Sequence, residues 1–317
     1  LYIFFSRLNL VPYSFNGASV PGYVQRMLAD PNLHWETTTQ TDLGVDAEFY
    51  NGQFSLTVDY YKKRTQGILL ELPVPATYGL EAGPQNAGIV DNTGWEFMVG
   101  SRNRFGQFGL NAAVNLSINR NEVVDLAGTG PYIQGNDIDP RYTTAEGHPI
   151  NAFWGYKTDG LFQTDDEASS YPQFMRPARA GDVKVLDLND DGVIDPDDMT
   201  YLGNSFPKYT FGGSFNLTYK AFTLNLALQG AADVKMRIAR ALGEAGNYEG
   251  FTPDIYTNNF WTPERPDARF ARPTKQDLRN QASTDRMLVD ASYLPVKNLQ
   301  LAYRIPTSLS RKIFIEN

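Results

Sequence analysis

Residues 187–198 read Asp-Leu-Asn-Asp-Asp-Gly-Val-Ile-Asp-Pro-Asp-Asp. Oxygen-bearing side chains fall at alternate positions, Asp187, Asn189 and Asp191, and Gly192 follows where a calcium loop turns sharply. Val193 offers a backbone carbonyl, Ile194 packs, and Asp195 and Asp198 close the run. Calcium is a hard cation that takes about 6–8 oxygens at flexible spacing. The expectation is therefore a structural Ca2+ held by Asp187, Asn189, Asp191, Val193, Asp195 and Asp198. Asp stands at the last position where Glu is usual, which shortens its reach for two-oxygen binding. No helical pattern flanks the run, so it reads as a loop that orders its surroundings. The competing reading is an acidic surface loop without an ion.

Little else in the chain suggests chemistry. There is no cysteine, so disulfides, thiolate metal sites and thiol nucleophiles are excluded. Two separated histidines, His34 and His148, leave no basis for a His-centred metal site or triad. No phosphate-cradling glycine loop and no G-x-S-x-G occurs. Carboxylates are too scattered to nominate a glycosidase pair. Catalytic and cofactor-binding residues are not expected, and neither is an enzyme. A net charge of −8 argues against nucleic acid as a partner. Asn115-Leu-Ser117 and Asn216-Leu-Thr218 match the glycosylation pattern but fall inside strand patterns, so they read as chance. Asp165-Asp166-Glu167 reads as a solvated acidic turn. Trp154, Tyr156, Phe162, Phe260 and Trp261 lie in long connections, where rings either stack on sugars or a partner, or pack among themselves.

The elements that must position these residues are strands. Phe108, Leu110, Ala112, Val114, Leu116 and Ile118 alternate with Gly109, Asn111, Ala113, Asn115, Ser117 and Asn119. Successive strand side chains point to opposite faces, so this is one apolar and one small, polar face. The same period recurs at 54–60, 95–99, 211–219, 222–230 and 298–305. Strands are expected near 35–50, 53–71, 89–101, 107–124, 207–219, 222–230 and 293–305. Residues 1–10 and Ile313–Ile315 are further partial candidates. Phe153–Phe162 is assigned to a long connection, because that connection must begin and end on one side. No internal repeat at a solenoid period is evident.

Short turns at Asn51-Gly52, Asn103–Gly106, Lys220-Ala221 and Pro306–Ser310 alternate with long connections at 11–33, 73–88, 126–206 and 231–290. Asn51-Gly52 is a two-residue hairpin signal, since both tolerate positive φ. A meander trimmed at one end and elaborated at the other is the asymmetry of an outer-membrane barrel. Tyr50, Phe54, Phe105, Phe108, Tyr219, Phe222 and Tyr303 mark the trimmed end, as an aromatic girdle would. No run approaches the ~18–20 apolar residues of a membrane helix. A soluble sandwich also alternates, but a strand of about 16 residues at 35–50 exceeds the usual ~5–6. The fold class is all-β: a transmembrane antiparallel β-barrel, present as an incomplete piece with long extracellular loops. A start without Met also suggests a fragment or a processed product.

Several ordered phrases resemble one family. Asp30-Pro-Asn-Leu-His-Trp-Glu36 leads to Gly44, and Asp59-Tyr60-Tyr61 to Thr65. Asn86-Ala-Gly88 precedes Asn92-Thr-Gly-Trp-Glu96. Gly147-His-Pro149 is followed by Phe153-Trp-Gly-Tyr156 and Asp159-Gly-Leu-Phe162. The 187–198 loop comes next, then Gly203-Asn204 and Pro207, and finally Ala291-Ser-Tyr-Leu294 with Lys297-Asn298. Together they resemble SusC-like TonB-dependent outer-membrane transporters of Bacteroidetes-type bacteria. Residues 1–20 match no phrase of that set.

The resemblance implies a roughly 22-stranded barrel with a plug domain and a TonB box, of which this chain carries a C-terminal part of the wall. It implies the outer membrane of a Gram-negative cell, a SusD-like lipoprotein as lid, and opening by the TonB complex and the proton-motive force. The implied cargo is an oligosaccharide or a peptide, glycan before peptide, and outer-membrane lipid surrounds the wall. On this reading 1–317 is partial barrel and 126–206 a long extracellular loop carrying the calcium-type run. Rival readings are a secreted calcium-stabilised β-rich carbohydrate-binding or hydrolytic module, and an outer-membrane barrel serving adhesion or secretion.

Overall fold

A computed structural model describes residues 8–27, 29–71, 75, 77, 79–81, 83–134, 142–238, 254–274 and 277–306. The chain opens with a hairpin, β1 (Leu8–Phe15) and β2 (Ala18–Gln25). Four long strands follow: β3 (Thr37–Phe49), β4 (Phe54–Glu71), β5 (Pro84–Phe105) and β6 (Phe108–Asp125). A region of short elements comes next: β7 (Tyr132–Gln134), β8 (Tyr142–Thr144), β9 (Ala152–Tyr156), β10 (Thr158–Leu161), helix α1 (Asp165–Ser170), β11 (Val183–Val185) and β12 (Met199–Gly203). The chain then returns through β13 (Tyr209–Tyr219) and β14 (Phe222–Ala232), makes a small pair from β15 (Lys235–Arg237) and β16 (Leu288–Asp290), and ends in β17 (Val296–Tyr303).

Seven of these strands form one antiparallel sheet in the order β17-β14-β13-β6-β5-β4-β3, which does not close on itself. All seven expected wall strands are present. The register keeps the alternation in phase: Val58 pairs with Val45 and Phe97, and Leu116 with Phe97 and Phe211. One face therefore carries an apolar row across every strand. Leu43, Leu299 and Leu301 on it are each 67–69% exposed, which water would penalise and lipid does not.

Aromatic rings bound this band twice. The lower ring holds Tyr50 against Phe54 (centroids 6.1 Å apart) and Phe222 against Tyr303 (4.7 Å), with Phe105, Phe108 and Tyr219. A second, upper ring adds to the expected one: Tyr60, Trp95 and Tyr209 lie at the height of Ile118, with Tyr60 and Trp95 at 4.9 Å. Tyr209 to Tyr219 covers about 33 Å along the strand. At a tilt of about 40° it rises about 25 Å, the height of an outer-membrane apolar band.

Three expectations are corrected. The Asn51-Gly52 turn is not a two-residue loop: Phe49 and Phe54 are the last pair, and Tyr50, Asn51 and Gly52 all take positive φ. Residues 11–33 are not one long connection, because β1 and β2 pair around Asn16-Gly17 as a separate two-stranded sheet. Strand β5 begins at Pro84, inside the expected 73–88 connection. There β4, β5 and β6 climb past the upper aromatic ring and bury Val90, Val123 and Leu126 against Ile68, Leu70, Tyr132 and Ile150. The tight turn at Lys220-Ala221 agrees with expectation, while the turn expected at Asn103–Gly106 falls at Gly106-Gln107, since Asn103 to Phe105 are still paired in β5. Ile313–Ile315 lies outside the described residues.

Candidate functional site

The face opposite the apolar band is the one a closed barrel turns to its lumen. It presents carboxamides, hydroxyls and glycines. Asn111, Asn216, Asn225 and Gln300 stand in one register row across four strands. Asn216 Nδ2 donates to Asn225 Oδ1 at 2.5 Å, and Asn225 Nδ2 to Gln300 Oε1 at 3.4 Å. Higher up, Tyr61 Oη donates to Asn119 Oδ1 at 3.1 Å. Higher on the same face, toward β3, acidic groups gather: Thr57 Oγ1 donates to Asp46 Oδ1 at 2.6 Å, with Asp42, Asp59 and Glu96 nearby in the pairing. Such a surface hydrogen-bonds a polar solute without an apolar grip. The two glycosylation-like triplets, Asn115–Ser117 and Asn216–Thr218, lie within these strands.

Above the wall, connections 126–206 and 231–290 fold together. Their shared core holds Tyr156, Leu161, Phe174, Val183, Val185, Ile194, Met199, Trp261 and Ala282. The Tyr156 amide donates to the Ser283 carbonyl at 2.9 Å, and the Arg272 amide to the Gly181 carbonyl at 2.9 Å. Trp261 Nε1 donates to Gln163 Oε1 at 3.1 Å. Gly181 has φ +82°, and an added Cβ would sit 2.3 Å from the Trp261 ring, so the indole packs on bare backbone. The choice between stacking rings and self-packing rings is thereby decided for three of them: Tyr156, Phe162 and Trp261 are at most 9% exposed. Trp154 packs against the same core, and Phe260 lies under the Arg265 guanidinium. His148 is stacked on Tyr201 with Trp154 at its edge.

The acidic triplet is also more than a solvated turn. It forms the first turn of α1, where negative charge suits the helix dipole. Thr164 caps the Glu167 amide at 3.1 Å, Asp165 Oδ1 accepts the Ala180 amide at 2.9 Å, and Glu167 pairs with Lys184 at 3.1 Å.

The calcium-type run forms a tight loop closed by its own carboxylates. Asp187 Oδ2 accepts the Gly192 amide at 2.8 Å, while Oδ1 is buried without a partner among the described residues. Asn189 Oδ1 accepts the Asp191 amide at 3.0 Å, and Asp191 Oδ1 the Val193 amide at 2.8 Å. Asp195 caps a short 3-10 turn through the Asp197 amide at 2.8 Å. Asp198 is fully buried: Oδ1 accepts from Leu188 at 2.6 Å, and Oδ2 from Asp195 at 2.9 Å. The donor set suits a hard cation, and the unpartnered Asp187 oxygen is the acceptor best placed to take one. Asp198 has a role that spacing did not reveal, tying both ends of the loop together. No cluster of three or more carboxylate or imidazole residues converges on one point among the described residues.

A tall antiparallel wall, apolar outside, ringed twice by aromatics and polar within, defines an outer-membrane β-barrel protein. The chain belongs to the "TonB dependent receptor-like, beta-barrel" family, whose pattern matches residues 5–314. It is 29% identical over 300 residues to "TonB-dependent receptor P26" of Formosa agariphila, covering 92% of this chain and 30% of that protein. It is 24% identical over 285 residues to "TonB-dependent receptor SusC" of Bacteroides thetaiotaomicron, covering 86% of this chain and 26% of that protein. A solved structure, "Structure of the RagAB peptide transporter", superimposes with a TM-score of 0.72 at 22% identity, covering 97% of this chain and 32% of that one. The chain thus spans about a quarter to a third of the length of these relatives. The family and its members place it in the outer membrane of Bacteroidetes-type bacteria.

Proposed function

We propose that this chain is part of the wall and extracellular cap of a TonB-dependent importer of oligomeric nutrients, not an enzyme. One observation carries the reading: a lumenal face of amides and hydroxyls lies beneath two long connections that fold as one body. The wall supplies passage, and the body above it supplies contact with cargo and lid, since recognition resides in loops held by a rigid scaffold. A SusD-like lipoprotein would cover the body, and the TonB complex would act through a plug. Glycan is the preferred cargo. A peptide is the alternative, raised by the likeness to the RagAB peptide transporter.

The 187–198 loop would hold a Ca2+ through Asp187, Asn189, Asp191, the Val193 carbonyl, Asp195 and Asp198. The ion would supply rigidity alone, fixing one side of the body.

Uptake by intact cells tests the proposal. Deleting the gene for the full-length protein should abolish growth on one class of oligomer while sparing its monomers. Dissipating the proton-motive force should stop uptake in the parent strain. Growth on every oligomer tested, or uptake indifferent to the proton-motive force, would overturn the importer reading.

A further inference from the structure

One cavity in the body above the wall gathers four arginines, more positive charge than the two carboxylates bonded among them neutralise. Asp182 is fully buried and accepts from Arg176 Nη1 at 2.8 Å, Arg272 Nε at 2.7 Å, Asn280 Nδ2 at 3.0 Å and the Arg179 amide at 2.9 Å. Asp277 accepts from Arg176 Nε at 2.9 Å and from Thr274 Oγ1 at 2.9 Å. These two carboxylates match Arg176 and Arg272. Two guanidinium groups are left over.

Arg279 is fully buried, and its Nε and Nη1 donate only to the backbone carbonyls of Val183, Phe174 and Arg176. Carbonyls satisfy its hydrogens but carry no countercharge. Its Nη2 has no hydrogen-bond partner among the described residues, and only the faces of Phe162 and Phe174, at 5.5 and 5.9 Å, meet its charge. The Arg179 side chain is exposed and makes no ion pair among them. Arg176, Arg179 and Arg272 reach one open cavity of about 550 Å³, with the buried Arg279 in its wall, and its rim carries the half-exposed Met175 and Leu278. A structural network alone would be expected to finish neutral, because an uncompensated buried cation is costly. This one remains cationic at a cavity mouth, in a chain whose net charge is −8.

We propose that this cavity is an anion-recognition subsite that takes a carboxylate group of the imported oligomer, a reading that rests on the importer function above. Guanidinium forks match a planar or tetrahedral oxyanion with paired hydrogen bonds. Met175 and Leu278 would lie along the adjoining carbon skeleton. Arg176 and Arg272 are held in place by Asp182 and Asp277, so the site is ordered before the ligand arrives. The cargo class this selects is an acidic oligomer.

The test uses the full-length transporter extracted in detergent with its co-purifying partners. Calorimetry compares a galacturonic-acid trimer, a tri-aspartate peptide and neutral maltotriose, and cell uptake of the same three is followed. At least one acidic probe should bind about tenfold or more tighter than maltotriose, with the advantage shrinking as salt rises. The acidic probe that binds tells whether the group comes from sugar or peptide. Arg179→Gln should remove about tenfold of that binding, and Arg179→Glu more. Thermal melting should not move in either variant, since the side chain is exposed and outside the ion pairs that hold the body. Equal binding of all three probes, or acidic binding unchanged in both variants, overturns the subsite. Uptake of maltotriose without charge preference overturns it while leaving the importer reading intact. Failure to take up any oligomer overturns both.

Discussion

Arg272 Nε donates to Asp182 Oδ1 at 2.7 Å across 90 residues of chain, joining the two longest connections at a fully buried carboxylate. Removing one member of a buried pair leaves the other uncompensated and costs about 3–5 kcal/mol. Asp182→Ala should therefore loosen the body above the wall while leaving the barrel intact. Limited proteolysis should cut within 231–290 in the variant and spare the parent protein.

The same carboxylate sets an acid limit. Burial alone would raise the pKa of Asp182, but hydrogen bonds from Arg176, Arg272, Asn280 and the Arg179 amide bring it down to about 2. The unfolded value is about 3.9. A depressed carboxylate contributes stability that is present above its unfolded pKa and lost as pH falls through the folded one. Protease resistance of the body should be insensitive to Asp182 from neutral pH to about 5, then decline toward pH 2. Asp182→Asn should flatten that decline.

Lipid contact is tested by depth. Leu226 lies mid-band on the apolar face, paired with Leu299 and Phe215. Ser214 is one residue from Phe215, on the opposite, exposed face. Leu226→Arg should cost about 2–4 kcal/mol in a bilayer, whereas Ser214→Arg should be close to neutral. Unfolding by denaturant in lipid vesicles compares them, and equal costs would contradict the assignment of faces.

Gly181 carries a steric prediction. Alanine there meets both the positive φ and the Trp261 ring. Overpacking of this kind costs about 1–3 kcal/mol. Gly181→Ala should raise the accessibility of the Trp261 indole, read as a red shift in its fluorescence when the other three tryptophans are replaced by phenylalanine.

Calcium is tested by removal. Saturating Ca2+ should protect the 187–198 segment from proteolysis, and chelation should expose it. Asp187→Asn should weaken Ca2+ binding roughly tenfold or more, because charge count sets affinity in such loops. Protection indifferent to both would leave the loop held by its own hydrogen bonds.

The wall was legible in the sequence because each residue there obeys a local rule. Phe108–Asn119 alternates regardless of what its neighbours do, and lipid on one side with lumen on the other keeps the pattern simple. The β1–β2 hairpin was hidden despite its Asn16-Gly17 turn, since Pro12 and Pro21 interrupt both strands and happen to face one another. The body above the wall was hidden for another reason. Tyr156, Phe162 and Trp261 become core only because distant segments interleave. Gln163 and Trp261, for example, meet across 98 residues, and no window of sequence contains both partners. Asp198 belongs with them: its spacing suggested a ligand, while its contacts with Leu188 and Asp195 emerge only once the loop is closed.

Interleaving also constrains inheritance. The Ser283 carbonyl completes β9, Gly181 seats Trp261, and Asp182 draws in Arg272 from the far connection. A recombination event that exchanged one connection alone would deliver half of a jigsaw. New specificity in such a protein has to arrive either as point changes at the cavity rim or as two insertions acquired together.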